Sequence, residues 1–238
     1  MKVPPSEGHP ETDQDRPAPE PDILLHASVY GELRRRFITG QILPDASLST
    51  RNLATELGVS QTPVREALSR LAAERAVVIR SKRKVVIPPM TTQRFNDLLR
   101  CRLLLEPESA ALALSAMSRA RLTQLKTIDA TITDALSAGD VNAYMRGNFD
   151  FHFTLYRTHA FETLNQLIEI LWLQFGPYMR VVYGRVGTAN LVDQHAVALD
   201  AIVRGDEAGL RDAISIDIAD GMGLIGRGGL EPDQPAAN

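Results

Sequence analysis

Apolar residues recur at helical spacing over most of this chain, and the pattern is sharpest between residues 49 and 71. Leu53, Ala54 and Leu57 put a stripe on one short helix. Gly58, just past it, suits the left-handed conformation of a C-cap. Val59 is an apolar plug in the turn. Ser60 is placed to N-cap a second helix, and Pro63 fits the first turn, where backbone N–H groups have no helical partner. Val64, Ala67, Leu68 and Leu71 then fall at i, i+3, i+4 and i+7, a face turned to a core. Gln61, Thr62, Arg65, Ser69 and Arg70 stand between them as short or basic polar residues. This is the layout of a helix-turn-helix, whose second helix enters the DNA major groove N-terminal end first.

The pattern on either side extends this reading. Upstream, Ile23, Leu24, Ala27, Tyr30, Leu33, Phe37 and Ile38 predict a helix over 23–39 with one buried face. Arg34, Arg35 and Arg36 lie near its end, either as a solvated face suited to the helix dipole or within reach of DNA phosphates. Gly40 to Ala46 is a loop, and Ser47 or Ser49 can cap the helix that follows. Downstream, Val77-Val78-Ile79-Arg80 and Val85-Val86-Ile87-Pro88 flank the polar tip Ser81-Lys82-Arg83-Lys84, which predicts a basic hairpin. Such a hairpin after a recognition helix is the wing of a winged helix-turn-helix. Pro88-Pro89 is a stiff boundary. From Thr91 onward every periodic segment is helical, near 92–116, 119–138, 140–159, 161–184, 189–204 and 207–225. Gly139-Asp140, Gly187-Thr188 and Gly205-Asp206 separate them as paired C-cap and N-cap residues.

The expected fold is therefore mostly α: an N-terminal winged helix-turn-helix over 22–88, then an all-α six-helix bundle over 91–225. Residues 1–21 are rich in Pro, Glu, Asp and Gln and are expected to be a disordered tail; 226–238 are expected to be a flexible C-terminus.

Charge adds one discriminating fact. The net charge of −3 conceals eleven basic and six acidic residues in 22–90, against thirteen basic and eighteen acidic in 91–238. The basic excess coincides with the helix-turn-helix, as a DNA-binding module joined to a different kind of domain would show. Cys101 is the single cysteine, so no internal disulfide forms, which fits a reducing cytoplasm. No apolar run reaches the roughly eighteen residues of a membrane span, and no secretory signal is expected.

The run Leu53-Ala54 followed by Leu57-Gly58-Val59-Ser60-Gln61-Thr62-Pro63-Val64-Arg65-Glu66-Ala67-Leu68 resembles the signature of the GntR family of bacterial transcriptional regulators. Arg102 to Ala111, with Glu106 inside it, resembles the opening helix of the C-terminal FCD domain of that family's FadR subfamily. Asn148-Phe149-Asp150-Phe151-His152 matches the Asp/Asn-x-x-x-His helix motif of the same domain, and His195 followed by Gly205-Asp206 matches its later helix pair. The resemblance spans roughly residues 23–225. It implies a homodimer that binds double-stranded operator DNA and senses a small molecule. Carried over by motif, the DNA contacts fall on Arg51, Gln61, Thr62 and Arg65 and on the wing residues Lys82, Arg83 and Lys84; Arg70 joins them as a basic residue of the same helix. The chain departs from the family in two places. Gln61 stands where arginine is common, and Glu74-Arg75-Ala76 stands where an acid-Gly-Leu is common.

The motif also implies a metal site. Asn148 and His152 are i, i+4 on one helix and point the same way. His195 and Asp217, the latter in place of the family's usual histidine, complete an N/O ligand set for a divalent ion of the zinc, nickel or manganese type. His159 lies further along the same face and reads as peripheral. Arg102 is a candidate to grip a small carboxylate effector with its planar fork, or else to pair with Glu106 at i+4. The expected function is a sequence-specific DNA-binding regulator, a repressor whose operator binding a small organic acid controls. A metal-dependent hydrolase and a winged-helix protein-interaction module are the alternatives. Neither a nucleophile elbow nor a phosphate loop supports the first.

Overall fold

The computed structural model describes residues 21–44, 46, 48–81, 84–186, 194–227 and 230. Among these, nine helices and one two-stranded sheet follow the order α1 (Pro21–Ile38), α2 (Thr50–Leu57), α3 (Gln61–Ala73), β1 (Val78–Ser81), β2 (Lys84–Val86), α4 (Thr92–Leu114), α5 (Arg119–Ala138), α6 (Val141–Tyr156), α7 (Glu162–Val186), α8 (Gln194–Arg204) and α9 (Glu207–Arg227). No helix among the described residues is long and apolar enough to cross a membrane.

The N-terminal elements assemble as the periodicity predicts, with two corrections. The buried stripe of α1 is Val29, Leu33 and Phe37, at i, i+4 and i+8, so Ala27 is exposed and Tyr30 only half-buried. Ser60 holds the N-cap position of α3 with an extended backbone, but its side chain makes no capping hydrogen bond. Ser49 does cap α2, accepting from the Asn52 N–H. Gly58 ends α2 at φ 67, a conformation a side chain disfavours. On α3 the buried residues are Pro63, Val64, Ala67, Leu68 and Leu71, and they rest on α1. The sheet is an antiparallel pair with Ile79 opposite Val85 and Ser81 opposite Lys84; Leu48 bridges to Val85 from the other side. The turn between α3 and β1 contains Arg75 at φ 60, the left-handed backbone a glycine would hold without strain. For a side-chain-bearing residue this costs roughly 1–2 kcal/mol.

In the helical bundle the closest pairings are α5 with α6, α4 with α9 and α8 with α9. Trp172, Tyr156, Phe151, Phe153 and Phe175 fill its centre. Thr91, Asp140 and Asp206 cap α4, α6 and α9. The expected tail, the proposed Gly187-Thr188 boundary, Ser47, the wing-tip residues Lys82 and Arg83, and the C-terminal residues from 231 lie outside the described residues.

Helix α1 also packs on α7, which ties the winged helix to the bundle. The approach is close. A Cβ on Gly176 would stand 2.5 Å from the Phe37 carbonyl oxygen and 2.6 Å from that of Ile38. These are backbone atoms and cannot rotate aside. Gly176→Ala is therefore expected to destabilise the protein by about 1–3 kcal/mol through overpacking, read as a lower midpoint in thermal or urea unfolding. An unchanged midpoint would show that α1 and α7 separate freely.

Candidate functional site

Two surfaces carry chemistry. The first is the outer face of α3. Its buried positions alternate with Gln61, Thr62, Arg65, Glu66, Ser69 and Arg70, all exposed, so folding the apolar face inward leaves the polar face outward. Gln61, Thr62 and Arg65 share the N-terminal end of that face, and Arg51 on α2 is exposed as well. Lys84 is exposed on β2, at the base of the wing. Arg70 differs. It stands in the last turn of α3 with its guanidinium over the Tyr30 ring, 5.4 Å from the centroid, and so helps fasten α3 to α1. Arg34, Arg35 and Arg36 are committed too. Arg35 and Arg36 pair with Glu32, and Arg36 also reaches Glu56 on α2. Arg34 pairs with Glu74 and with Glu169 of α7.

The second site lies inside the bundle. His152 on α6, His195 on α8 and Asp217 on α9 converge so that one ligand atom from each lies within 4.8 Å of the others. His152 Nε2 stands 3.1 Å from one Asp217 oxygen and 3.4 Å from His195 Nε2. Both histidines are buried, and His195 stacks on Phe151. Asn148 is buried one turn before His152 on the same helix. Three of the four ligand candidates thus meet directly, with Asn148 beside them.

A supporting chain fixes the orientation of His152. The Tyr156 hydroxyl donates to Glu106 Oε2 (2.9 Å), so toward His152 Nδ1, 2.9 Å away, it acts as acceptor. With Nδ1–H committed to Tyr156, Nε2 can hold an ionised Asp217 in two ways. One is a second proton, making an imidazolium; the other is a cation that takes the Nε2 lone pair. Burial pushes the Asp217 carboxyl up, but the hydrogen bond from His152 and the charges of His152, His195 and Arg102 outweigh it and bring its pKa to about 2. Asp217 is therefore anionic at neutral pH. His195 Nδ1 faces the Asp129 carboxylate at 3.8 Å, which adds α5 to the outer shell.

Glu106 is the hub of this shell. It is fully buried and accepts from Tyr156, from Trp172 Nε1 at 3.1 Å and from the Arg102 fork. Of the two roles open to Arg102, the structure realises the pair with Glu106. The guanidinium also lies against two aromatic rings, 3.9 Å from the Phe175 centroid and 5.1 Å from that of Trp172. His159 is peripheral. It accepts from the Phe161 N–H through Nδ1, sits 2.8 Å from Ser109 Oγ, and burial pushes its pKa down. Sequence reasoning missed Asp129, Tyr156 and Trp172. No motif marks them, and helical periodicity says nothing of polar partners on other helices.

Comparison with known proteins identifies both domains. The family model for bacterial regulatory proteins of the gntR family matches residues 25–87, and that for the FCD domain matches residues 97–220. The chain is 28% identical over 196 residues to the HTH-type transcriptional regulator McbR of Escherichia coli (strain K12), covering 81% of this chain and 89% of that protein. It is 26% identical over 189 residues to the gluconate operon transcriptional repressor of Bacillus subtilis (strain 168), covering 74% and 75%. The solved structure of E. coli McbR/YncC superposes with a TM-score of 0.81 at 26% identity, covering 86% of this chain and 98% of that one.

Proposed function

The chain belongs to the gntR family of bacterial regulatory proteins, with an FCD domain after its winged helix-turn-helix, and from that premise we propose a repressor that a small carboxylate controls. It is a transcriptional regulator and not an enzyme. In this reading a homodimer binds double-stranded operator DNA, because one winged helix contacts too few bases for genomic specificity and two half-sites supply the rest. Arg51, Gln61, Thr62, Arg65 and the wing residues from Lys82 to Lys84 face the DNA. Arg70 is left to packing.

The observation that carries the sensor half is the convergence of His152 and His195 nitrogens on an ionised Asp217. That donor set fits a divalent ion of the zinc, nickel or manganese class, with Asn148 adjacent as a weaker neutral ligand. When bound, such an ion would supply positive charge for the carboxylate of an effector. Arg102, one layer behind through Glu106, adds positive potential to the same region. A route to the DNA is also present. Helix α6 carries Asn148 and His152, and Arg157 directly after it pairs with Glu169 of α7. Glu169 also holds Arg34 of α1, and α1 packs on the recognition helix α3. A shift of α6 therefore reaches α3 through one shared carboxylate.

Elemental analysis of purified protein tests the site. Wild-type protein is expected to retain close to one divalent ion per chain after gel filtration, and a His152→Ala/His195→Ala variant to retain none. Equal metal content in the two would refute the assignment.

A further inference from the structure

A cavity of about 320 Å³ opens where the winged helix meets the bundle. Arg75 from the α3–β1 turn, Arg94 and Asp97 from α4, and Gln174 from α7 line its polar side; Leu98 and Leu171 line the other. It shares no residue with the His152, His195 and Asp217 cluster. The Arg94 guanidinium is held only loosely. Its three hydrogen bonds go to the Pro88 and Arg75 carbonyls and to Gln174 Oε1, each at 3.3 Å, long for a charged donor. Its Nε is buried with no hydrogen-bond partner among the described residues. A guanidinium withdrawn this far from water ordinarily has a carboxylate; Arg94 is half-buried, and among the described residues its hydrogen bonds go to none. Burial, and then the nearby charge of Arg75, lower the pKa of Arg94.

Arg75 is the more telling residue. It keeps a left-handed backbone that glycine would hold without strain, and it makes no ion pair among the described residues. Strain of this kind persists where the side chain has a use. Here that side chain is brought to the mouth of a cavity already holding one guanidinium, so two like charges face one space.

We propose that this junction cavity is a second ligand site, taking a small monocarboxylate between Arg75 and Arg94 with its apolar body against Leu98 and Leu171. Two guanidinium groups against the single Asp97 carboxylate leave one net positive charge, which selects a monoanion over a dianion. Because Arg75 belongs to the winged-helix side and Arg94 to the bundle, the bound carboxylate bridges the two and restrains the wing relative to the bundle. The site acts independently of the metal cluster.

The test uses butyrate as probe and butyramide as its uncharged counterpart, at constant ionic strength, by calorimetric titration and thermal shift. Butyrate is expected to bind wild-type protein and the His152→Ala/His195→Ala variant alike, and butyramide to bind neither. Arg75→Gly removes the strain together with the charge. This variant is expected to unfold at the same or a higher temperature than wild type while losing about tenfold or more in butyrate affinity, the loss of a charged hydrogen bond. Equal binding of butyrate and butyramide, full butyrate affinity in Arg75→Gly, or loss of binding in the histidine variant would each overturn the proposal. The last would place butyrate in the bundle cluster and leave the metal-site reading standing.

Discussion

Replacement of Glu106 by alanine is expected to destabilise the protein by about 3–5 kcal/mol, the usual consequence of removing one partner from a buried ion pair. The side chain is fully buried, and Arg102 beside it is 3% exposed. Without the carboxylate, the Arg102 charge is left against two aromatic rings, and the Tyr156 hydroxyl and Trp172 indole N–H lose their acceptor. In a chain of this size each kcal/mol lowers the melting temperature by about 2–4 °C, so a fall of roughly 6–20 °C is expected. An Arg102→Met/Glu106→Leu double variant is expected to recover most of that loss, since it removes both charges and keeps apolar volume. If the double variant is as unstable as Glu106→Ala, the cost lies in packing and not in the orphaned charge. Loss of Glu106 also frees Tyr156, and with it the Nδ1 partner of His152. Metal affinity is then expected to fall about 10–100-fold, as for other outer-shell changes.

The second large effect concerns the DNA face. Arg65→Ala is expected to weaken operator binding by about 1–3 kcal/mol, roughly 5–150-fold, if its fork contacts a base edge. The side chain is exposed one turn after Gln61 on a helix whose opposite face is sealed in the core, so truncation should leave the fold intact. Circular dichroism checks that, and anisotropy titration on a promoter fragment gives the affinity. Gln61→Arg restores the family's common residue and is expected to change which base is preferred at one position, without the same general loss. Equal affinity of Arg65→Ala and wild type on every sequence would remove Arg65 from the reading face.

What was legible in the sequence is what local physics determines. Gly58, Ser49, Asp140 and Asp206 mark helix ends through neighbours a few residues away, and the structure keeps each of them. The alternation on α3 separated buried from exposed residues correctly. His152, His195 and Asp217 were legible only through a motif, because nothing local says that α6, α8 and α9 meet. Of the shell behind them only the Arg102–Glu106 pair, four residues apart on one helix, was legible. Glu106 and Tyr156 are 50 residues apart, and Glu106 and Trp172 are 66. Arg34, read as solvated or as a phosphate contact, finds Glu169 across 135 residues. The Ser60 capping bond was expected from residue type, and its side chain does not make it. Arg75 shows the converse. Its departure from glycine stood out in sequence, and its backbone is nonetheless left-handed.

Control of DNA binding by the winged helix is assigned to the cluster of His152, His195 and Asp217, whose two histidines are buried. The direct measurement is affinity for the promoter fragment adjoining this protein's own gene, for wild type and His152→Ala/His195→Ala, with divalent cation and with chelator, at two salt concentrations. Both proteins are expected to bind less tightly as salt rises, because cationic side chains displace counterions from the phosphates. Only the wild type is expected to change affinity between cation and chelator. Salt-independent binding, or an identical response to chelator in both proteins, would contradict the account.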